Sequence, residues 1–280
     1  MKNVSPKYWK EYSLLDYGNG VKVERFANKI SIRPETDARK SLDKPLTYWK
    51  EKADTQYIDK PENKWANEFS DWVINYNSKS ISVKTKLFLG NSKHIGIFPE
   101  QAVNWEYIAK NLRKEDAFLN LFGYTGVASV VAAQKCKQVT HVDSSPSIIK
   151  RAKYNAEINQ INNIRFINDD ALLFCKKELK RGNKYKGIIL DPPVFGFGAK
   201  GKSWKLTKNI SELLKTVKQI CEKDSFIILN TYSPQFKQND ALKLLHEIFG
   251  GKAEISFGKL SLESGKNELL LNDYFIIRSK

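Results

Sequence analysis

The chain has 280 residues, of which 41% are hydrophobic, and it carries a formal net charge of +16 at pH 7. This length accommodates one large domain, or one large and one small domain. No apolar run approaches the roughly 18–20 residues of a membrane span, and the N-terminus lacks the apolar core of a signal peptide, so the composition argues against a membrane protein and predicts a cytoplasmic one.

The first third of the chain is expected to be rich in short strands. Residues 12–33 predict two or three strands, and Asn19-Gly20 among them favours a type I′ hairpin turn, because both residues tolerate positive φ. Residues 34–68 are polar and carry three prolines, which predicts loop or irregular structure. Residues 72–89 hold two further alternating runs, typical of an antiparallel pair.

Strands and helices alternate in the rest of the chain. Such alternation indicates a parallel sheet with helices on both faces. Two late strands have no helix between them, which predicts an antiparallel edge hairpin. We therefore expect an α/β, Rossmann-like, doubly wound, mostly parallel seven-stranded sheet over residues 93–280, preceded by a small β-rich domain or arm over 1–92. The predicted strands are residues 117–122, 138–142, 164–167, 185–190, 225–229, 253–262 and 273–278.

Polar or glycine-rich residues follow each of the first four predicted strands. In a doubly wound sheet, ligands bind beyond the carboxyl ends of the strands. Glycines let the backbone approach a ligand, and acids there can accept hydrogen bonds from ribose hydroxyls or an exocyclic amine. Each cluster alone has an ordinary alternative, such as a tight turn, a helix cap or a solvated acid. In strand order they are Phe122-Gly123-Tyr124-Thr125-Gly126, then Asp143, then Asp169-Asp170, then Asp191-Pro192-Pro193.

Five longer runs of sequence carry a family resemblance. The constellation resembles the class I S-adenosylmethionine-dependent methyltransferases, and within them the ribosomal-RNA large-subunit methyltransferase family that modifies cytosine C5 or guanine N2. The resemblance covers about residues 94–278 and implies S-adenosylmethionine as the cofactor. The runs are HIGIFPEQ (94–101), LNLFGYTGVAS (119–129), HVDSSP (141–146), INDDAL (167–172) and DPPVFGFG (191–198).

The resemblance implies a role for each matched position. Gly123 and Gly126 would pass under the methionine part of the cofactor, Asp143 would hold the ribose, and Asp170 the adenine amine. The implied cofactor-binding residues are Phe98, Gln101, Asn120, Phe122, Gly123, Tyr124, Thr125, Gly126, Asp143, Ser144, Asp170 and Ala171. The implied catalytic residues, facing the methyl-accepting group, are Asp191, Pro192, Pro193 and Phe195.

One departure from the family bears on the mechanism. The cytosine-C5 members carry a catalytic cysteine just after the fifth strand, because a thiolate must first add to the ring. Here that segment is NTYS, with Tyr232 in place of the cysteine. Direct transfer to a nitrogen or an oxygen remains, and an exocyclic nitrogen is predicted, with Asp191 and the Pro192 carbonyl accepting hydrogen bonds from the amine. Methyltransferases that act on the adenine amine usually place an aromatic residue directly after the second proline, where it stacks on the base. Here that residue is Val194, so adenine N6 is disfavoured.

The residues after the Asp-Pro-Pro segment predict a loop over the substrate. Lysines there can contact phosphates, and aromatic rings can stack on a base. Together with the net charge this favours an RNA partner, ribosomal RNA by the resemblance, although a lysine-rich coding bias is an alternative source of the charge. For Trp204 the alternative is packing under the following helix. The predicted substrate-binding residues are Phe197, Lys200, Lys202, Trp204 and Tyr232.

Two other motifs and two other classes of protein compete with this interpretation. GFGAKGKS (196–203) fits the P-loop pattern GxxxxGK[ST], but Asp-Pro-Pro-Val-Phe separates it from the preceding strand. The same residues spell GxGxxG, yet they follow the fourth strand rather than the first. A non-catalytic RNA-binding protein on the same fold also stays open, as does a methyltransferase that acts on protein or small molecules, because the coding bias weakens the argument from charge. The three cysteines and three histidines show no metal-ligand spacing, so no metal is expected.

Overall fold

A computed structural model describes residues 2–197 and 203–279, and the chain divides into two compact units. The smaller unit consists of Asn3–Val103 and Leu260–Leu271, and the larger unit of Asn104–Lys259 and Asn272–Lys280 together with the first two residues. The boundary predicted between residues 92 and 93 stays a prediction. Within the described residues, no helix combines the length and apolar character needed to cross a bilayer.

The smaller unit is built mainly of strands, as expected for residues 12–33 and for residues 72–89. Its first five strands form one sheet in sequence order, and the last two form an antiparallel pair. The two-residue turn at Asn19 (φ 53°) and Gly20 (φ 80°) has the positive φ values of the predicted type I′ hairpin. Its elements are β1 (Tyr12–Gly18), β2 (Val21–Phe26), β3 (Lys29–Pro34), α1 (Leu46–Lys52), β4 (Thr55–Ile58), β5 (Lys64–Trp65), β6 (Trp72–Asn77) and β7 (Ser82–Leu87).

The expectation of irregular structure over residues 34–68 is wrong in part. A short helix, α1, begins after Pro45, and two short strands follow it. The prolines lie outside or at the ends of these elements, where a missing N–H costs little. Trp65 is buried beside Tyr57 in an edge-to-face pair, with ring centroids 5.3 Å apart. This aromatic pair therefore supplies buried apolar surface in a segment whose sequence is otherwise polar.

The larger unit contains strands alternating with helices. Two short strands and one helix in it were not predicted, namely the β12–β13 hairpin and α2. The elements that lie wholly or partly in this unit are α2 (Ala102–Asn111), β8 (Ala117–Leu121), α3 (Val127–Ala133), β9 (Gln138–Asp143), α4 (Pro146–Ile158), β10 (Ile164–Asn168), α5 (Ala171–Arg181), β11 (Tyr185–Leu190), β12 (Phe195–Phe197), β13 (Ser203–Lys205), α6 (Leu206–Gln219), β14 (Cys221–Thr231), α7 (Gln238–Phe249), β15 (Ala253–Ser264) and β16 (Asn267–Ser279).

The main sheet has seven strands in the order β10-β9-β8-β11-β14-β16-β15. The first five are parallel to their neighbours, and β16 pairs antiparallel with β14. The predicted α/β class, with a doubly wound, mostly parallel seven-stranded sheet and an antiparallel edge, is confirmed. The order reverses between β8 and β11, so a ligand is expected at the carboxyl ends of these two strands.

Helix α6 shows how the sequence fixes the layers. Its buried side chains recur at the three- and four-residue spacing of one helix face, and they belong to the core cluster that includes the central strand β11. Burying each leucine or isoleucine contributes roughly 1.5–3 kcal/mol relative to exposure. A charge on this face would therefore detach the helix from the sheet. The buried residues of the face are Leu206, Ile210, Leu213, Leu214 and Val217.

Candidate active site

The loop between β8 and α3 has an unusual backbone. Phe122 (φ 58°), Tyr124 (φ 50°) and Gly126 (φ 83°) all adopt the left-handed region, which residues other than glycine rarely enter. The Gly123 N–H donates to the Val142 carbonyl at 3.0 Å, so the loop is attached to the neighbouring strand. Strained backbone of this kind persists where surrounding contacts enforce it, and it is concentrated at ligand sites.

A buried polar chain lies below this loop. The Asn120 amide donates to Ser129 Oγ at 2.9 Å, and Ser129 Oγ lies 2.9 Å from His141 Nδ1. All three side chains are buried. Burial lowers the pKa of His141 to about 3, so the ring is neutral at physiological pH. Asn120 is a predicted site residue, whereas Ser129 and His141 are not, because no spacing rule links the three positions.

The glycine at 123 is required by this histidine. A β-carbon there would lie 2.4 Å from His141 Cε1, closer than atoms can approach. The glycine was predicted to let the backbone approach a ligand, and the His141 ring is a second reason for a glycine at this position. Gly126 has positive φ and begins α3, with Ala152 3.0 Å from the position of its missing β-carbon. The cofactor contacts expected of both glycines stay predictions.

Asp143 ends β9, and backbone donors hold its carboxylate. Tyr124 N–H donates to Oδ2 at 3.0 Å, and Ser145 N–H donates to Oδ1 at 2.9 Å. Burial raises the pKa of this carboxyl, and these N–H bonds act in the opposite direction. The carboxylate oxygens retain lone pairs, so they can accept hydrogen bonds from a diol. Ser144, another predicted cofactor residue, follows it and is half-buried.

The third predicted acid has a structural role as well. Asp170 caps α5, since its Oδ1 accepts the Leu173 N–H at 2.9 Å. Its other oxygen can accept a further hydrogen bond. Ala171 is the buried first residue of that helix. The neighbouring Asp169 pairs with Lys177 at 2.5 Å, which makes Asp170 the acid better able to contact a ligand.

Asp191 follows β11 and begins the Asp-Pro-Pro corner. Pro192 is buried and Pro193 is exposed. The Pro193 carbonyl accepts the indole N–H of Trp204 at 2.7 Å, and the Trp204 ring packs against Phe122 with centroids 5.0 Å apart. Trp204 is only 5% exposed, which favours the packing alternative for this residue over base stacking. The corner and the glycine loop are therefore joined through one tryptophan.

Aromatic side chains beside this corner are open to solvent. Phe195 is 60% exposed and Tyr232 is 38% exposed. The Tyr232 hydroxyl donates to Asp191 Oδ2 at 3.2 Å. Lys205 lies 6.0 Å from the centre of the Phe195 ring. The sequence placed Tyr232 after the fifth strand but gave no sign that its hydroxyl reaches the Asp-Pro-Pro corner.

Other predicted residues lie elsewhere. Lys200 and Lys202 lie outside the described residues, as does the side chain of Phe197. Phe98 and Gln101 belong to the smaller unit, half-buried and buried respectively, and their cofactor role stays a prediction.

The P-loop interpretation does not fit the described part of its motif. Gly196 and Ser203 lie in the paired strands β12 and β13, and the next helix begins only at Leu206. A phosphate-binding loop instead leads from its first glycine directly into a helix N-terminus.

The cysteines lie away from the carboxyl ends of the parallel strands. Cys136 and Cys175 are buried, and Cys221 is the first residue of β14, at the opposite end of that strand from Tyr232. Burial raises the pKa of all three thiols, to about 12 for Cys136 and about 11 for Cys221, so a thiolate is disfavoured at neutral pH. The described residues contain no group of three or more histidine, cysteine or acidic side chains that could hold a metal ion.

Comparison with known proteins places this geometry in a family. The model of the family described as "Conserved hypothetical protein 95" matches residues 101–259, more than half of the chain. The chain belongs to this family. A crystal structure titled as the SAM-dependent methyltransferase from Agrobacterium tumefaciens has a TM-score of 0.91 and 27% identity, and the match covers 100% of this chain and 94% of that one. The predicted resemblance to class I S-adenosylmethionine-dependent methyltransferases is confirmed.

Curated relatives point to ribosomal-RNA enzymes but are much longer. Ribosomal RNA large subunit methyltransferase K/L of Pseudoalteromonas translucida is 32% identical over 202 residues, which cover 71% of this chain and 28% of the relative. Ribosomal RNA large subunit methyltransferase I of Yersinia pseudotuberculosis is 38% identical over 90 residues, which cover 31% of this chain and 23% of the relative. The chain thus spans less than a third of the length of each.

Proposed function

We propose that this protein is an S-adenosylmethionine-dependent methyltransferase that acts on ribosomal RNA, by direct transfer to an exocyclic nitrogen. The observation that carries the proposal is the Asp-Pro-Pro corner after β11. There a carboxylate acceptor, Asp191, lies beside Tyr232, where the cysteine-dependent relatives have their nucleophile. An acceptor at this place suits an amine, which loses a proton on methylation, whereas a pyrimidine C5 carbon would also need a thiolate to add to the ring.

The residues around the glycine loop fit the cofactor. S-Adenosylmethionine supplies a methyl group on a positively charged sulfur, which leaves as a neutral thioether. Asp143 would accept hydrogen bonds from the ribose hydroxyls, because its carboxylate is already oriented by two backbone N–H groups. Asp170 would accept from the adenine amine through the oxygen that does not cap α5. The left-handed loop from Phe122 to Gly126 would bind the methionine part.

Positioning is expected to supply much of the rate. Asp191 and the Pro192 carbonyl would orient an amine so that its lone pair points at the methyl group. Fixing two reactants in this way is worth up to about 7–11 kcal/mol in well-oriented systems. Burial raises the pKa of all three thiols, so none of the three cysteines is activated as a covalent nucleophile, which supports direct transfer.

The distribution of charge and the names of the relatives both favour an RNA substrate. The larger unit holds 29 lysines and arginines against 16 acids, whereas the smaller unit holds 18 against 15. The positive surplus is therefore concentrated on the unit that contains Asp191, where a polyanion would have to bind. The target base would be single-stranded or flipped out of its helix, so that its edge reaches the corner. The cytoplasm, where ribosomes are assembled, is the expected location.

A deletion strain tests this proposal. Ribosomal RNA from cells with and without the gene is digested and compared by mass spectrometry of the nucleosides. We expect one methylated nucleoside, with the methyl group on an exocyclic nitrogen, to be lost on deletion and restored by the wild-type gene. The same RNA should accept a labelled methyl group from S-adenosylmethionine in the presence of purified protein. Cofactor binding with no transfer to this RNA would favour a non-catalytic RNA-binding protein instead.

A further inference from the structure

Tyr232 stands where the cytosine-C5 methyltransferases carry their catalytic cysteine, and it contacts the Asp191 carboxylate directly. Leu190 of β11 pairs with Leu229 of β14, so Asp191 lies level with Asn230, and Tyr232 comes two residues later. Two residues of a strand span about 6.6 Å. A tyrosine is long enough to reach back over that distance, and the hydroxyl of Tyr232 does so, donating to Asp191 Oδ2 at 3.2 Å. A cysteine at the same position is too short to make this contact.

We propose that Tyr232 is a positioning residue, whose hydroxyl holds the Asp191 carboxylate so that it accepts a proton from a target amine. The inference rests on the proposed function and deepens it. A carboxylate oxygen that accepts the phenol O–H is held in a fixed orientation. Tyr232 thus acts through Asp191 rather than on the base itself.

The pair also narrows the class of target. The Asp191 carboxylate, with Tyr232 as its donor, presents acceptors to the substrate. Its complement is a nitrogen that carries hydrogen, such as the amino group of guanine, cytosine or adenine. A ring nitrogen without hydrogen offers no proton to this carboxylate, and a ring carbon would need the missing thiolate. The geometry therefore favours an amino group over the other methylation sites of a base.

The transfer step balances with these groups alone. The lone pair of the amine forms the new N–C bond, and the C–S bond of the methyl donor breaks with its electron pair remaining on sulfur. The nitrogen, now positive, gives one hydrogen as a proton to the Asp191 carboxylate. The carboxylic acid then releases this proton to water. Tyr232 keeps its own proton throughout, because its part is to donate a hydrogen bond.

Removal of the hydroxyl alone tests the role. In Tyr232→Phe we expect kcat for methylation of ribosomal RNA from the deletion strain to fall about tenfold, the loss associated with one hydrogen bond to a charged group. The KM for this RNA and the Kd for S-adenosylmethionine, measured by calorimetry, should stay within about twofold. Tyr154→Phe is the matched control, since Tyr154 lies on α4 of the same unit with nearly the same exposure, 39% against 38%, and should keep the wild-type kcat.

A spectroscopic measurement tests the contact without turnover. 3-Fluorotyrosine is introduced at position 232 of the full chain, and its ¹⁹F resonance is recorded without cofactor or RNA. In an Asp191→Asn background this resonance should move, whereas 3-fluorotyrosine at position 154 should give the same shift in both backgrounds.

Three results would overturn the inference. An unmoved resonance at position 232 would deny the contact. An unchanged kcat, or a raised KM with kcat unchanged, would make Tyr232 a residue that only touches RNA or solvent. A wild-type protein that methylates no ribosomal RNA would overturn the proposed function, and the inference with it, even where the resonance responds to Asp191.

Discussion

Asp143 and Asp191 occupy equivalent places at the carboxyl ends of two parallel strands, yet different parts of the chain hold them. Backbone N–H groups of Tyr124 and Ser145 hold Asp143. The side chain of Tyr232 contacts Asp191, and the indole of Trp204 fixes the following corner. The first arrangement depends on backbone conformation, and the second on the identity of two aromatic side chains.

The difference suggests how such a protein can keep its cofactor and change its target. A site held by backbone donors tolerates many side-chain substitutions nearby, because the donors stay in place. A site held by side chains changes its chemistry with a single substitution, as cysteine and tyrosine at position 232 illustrate. We therefore expect the geometry around Asp143 to tolerate side-chain substitutions better than the geometry around Asp191.

The largest expected effects separate the two acids. Asp191→Asn should lower transfer by about 10²–10⁴-fold, the usual range for loss of a proton acceptor, with cofactor affinity unchanged. Asp143→Ala should instead weaken cofactor binding by about 10–100-fold, because two hydrogen bonds to a charged group are lost. Calorimetry with S-adenosylmethionine and single-turnover transfer distinguish them. Equal losses of affinity in both variants would remove the proposed division of labour.

A smaller effect should follow from Gly123→Ala. The added methyl group would collide with His141, so the loop or the ring must move. We expect the free energy of unfolding to fall by about 1–3 kcal/mol, and cofactor affinity to fall with it. Urea denaturation measures the first quantity. Gly251→Ala provides the control, since a β-carbon there meets nothing within 4 Å. Stability equal to that of this control would show that the loop does not depend on the histidine.

The smallest effect concerns pH. The folded pKa of His141 is lowered to about 3, against an ordinary value of 6.5, so the unfolded chain binds the proton more tightly. The contribution of His141 to the free energy of unfolding is therefore fully present above pH 6.5 and is lost as the pH falls from there towards 3. Between pH 7 and 5.5 this loss amounts to about 1 kcal/mol, and His141→Gln should remove this part of the wild-type pH dependence. A similar part should remain, because burial also lowers the pKa of His94, to about 4.

The control for this measurement is His246→Gln, because that ring is exposed in the folded protein. Urea denaturation at the two pH values gives the comparison. A pH dependence in His141→Gln equal to that of the wild type would mean that His141 does not contribute to it.

Strand patterns predicted the main sheet well, because apolar runs and the residues that follow them are local features. The four clusters after the first four strands were found in this way. Three features were not. The strands β12 and β13 have three residues each, which is too short for a periodic signal. Helix α2 lies in the stretch between the motif at 94–101 and the first predicted strand, where no element was predicted. His141 lies within β9 and looks like an ordinary strand residue. Contacts between distant positions, such as Tyr232 with Asp191, depend on strand register and side-chain length, which a single sequence does not reveal.

The β12–β13 hairpin has a practical consequence for engineering. Phe197 pairs with Ser203, and the Leu206 N–H donates to the Val194 carbonyl at 3.0 Å, so the residues on either side of positions 198–202 are held beside the Asp-Pro-Pro corner. Chimaeras that exchange these five positions for those of a relative should therefore keep the corner intact, which makes this hairpin a suitable place for engineered insertions.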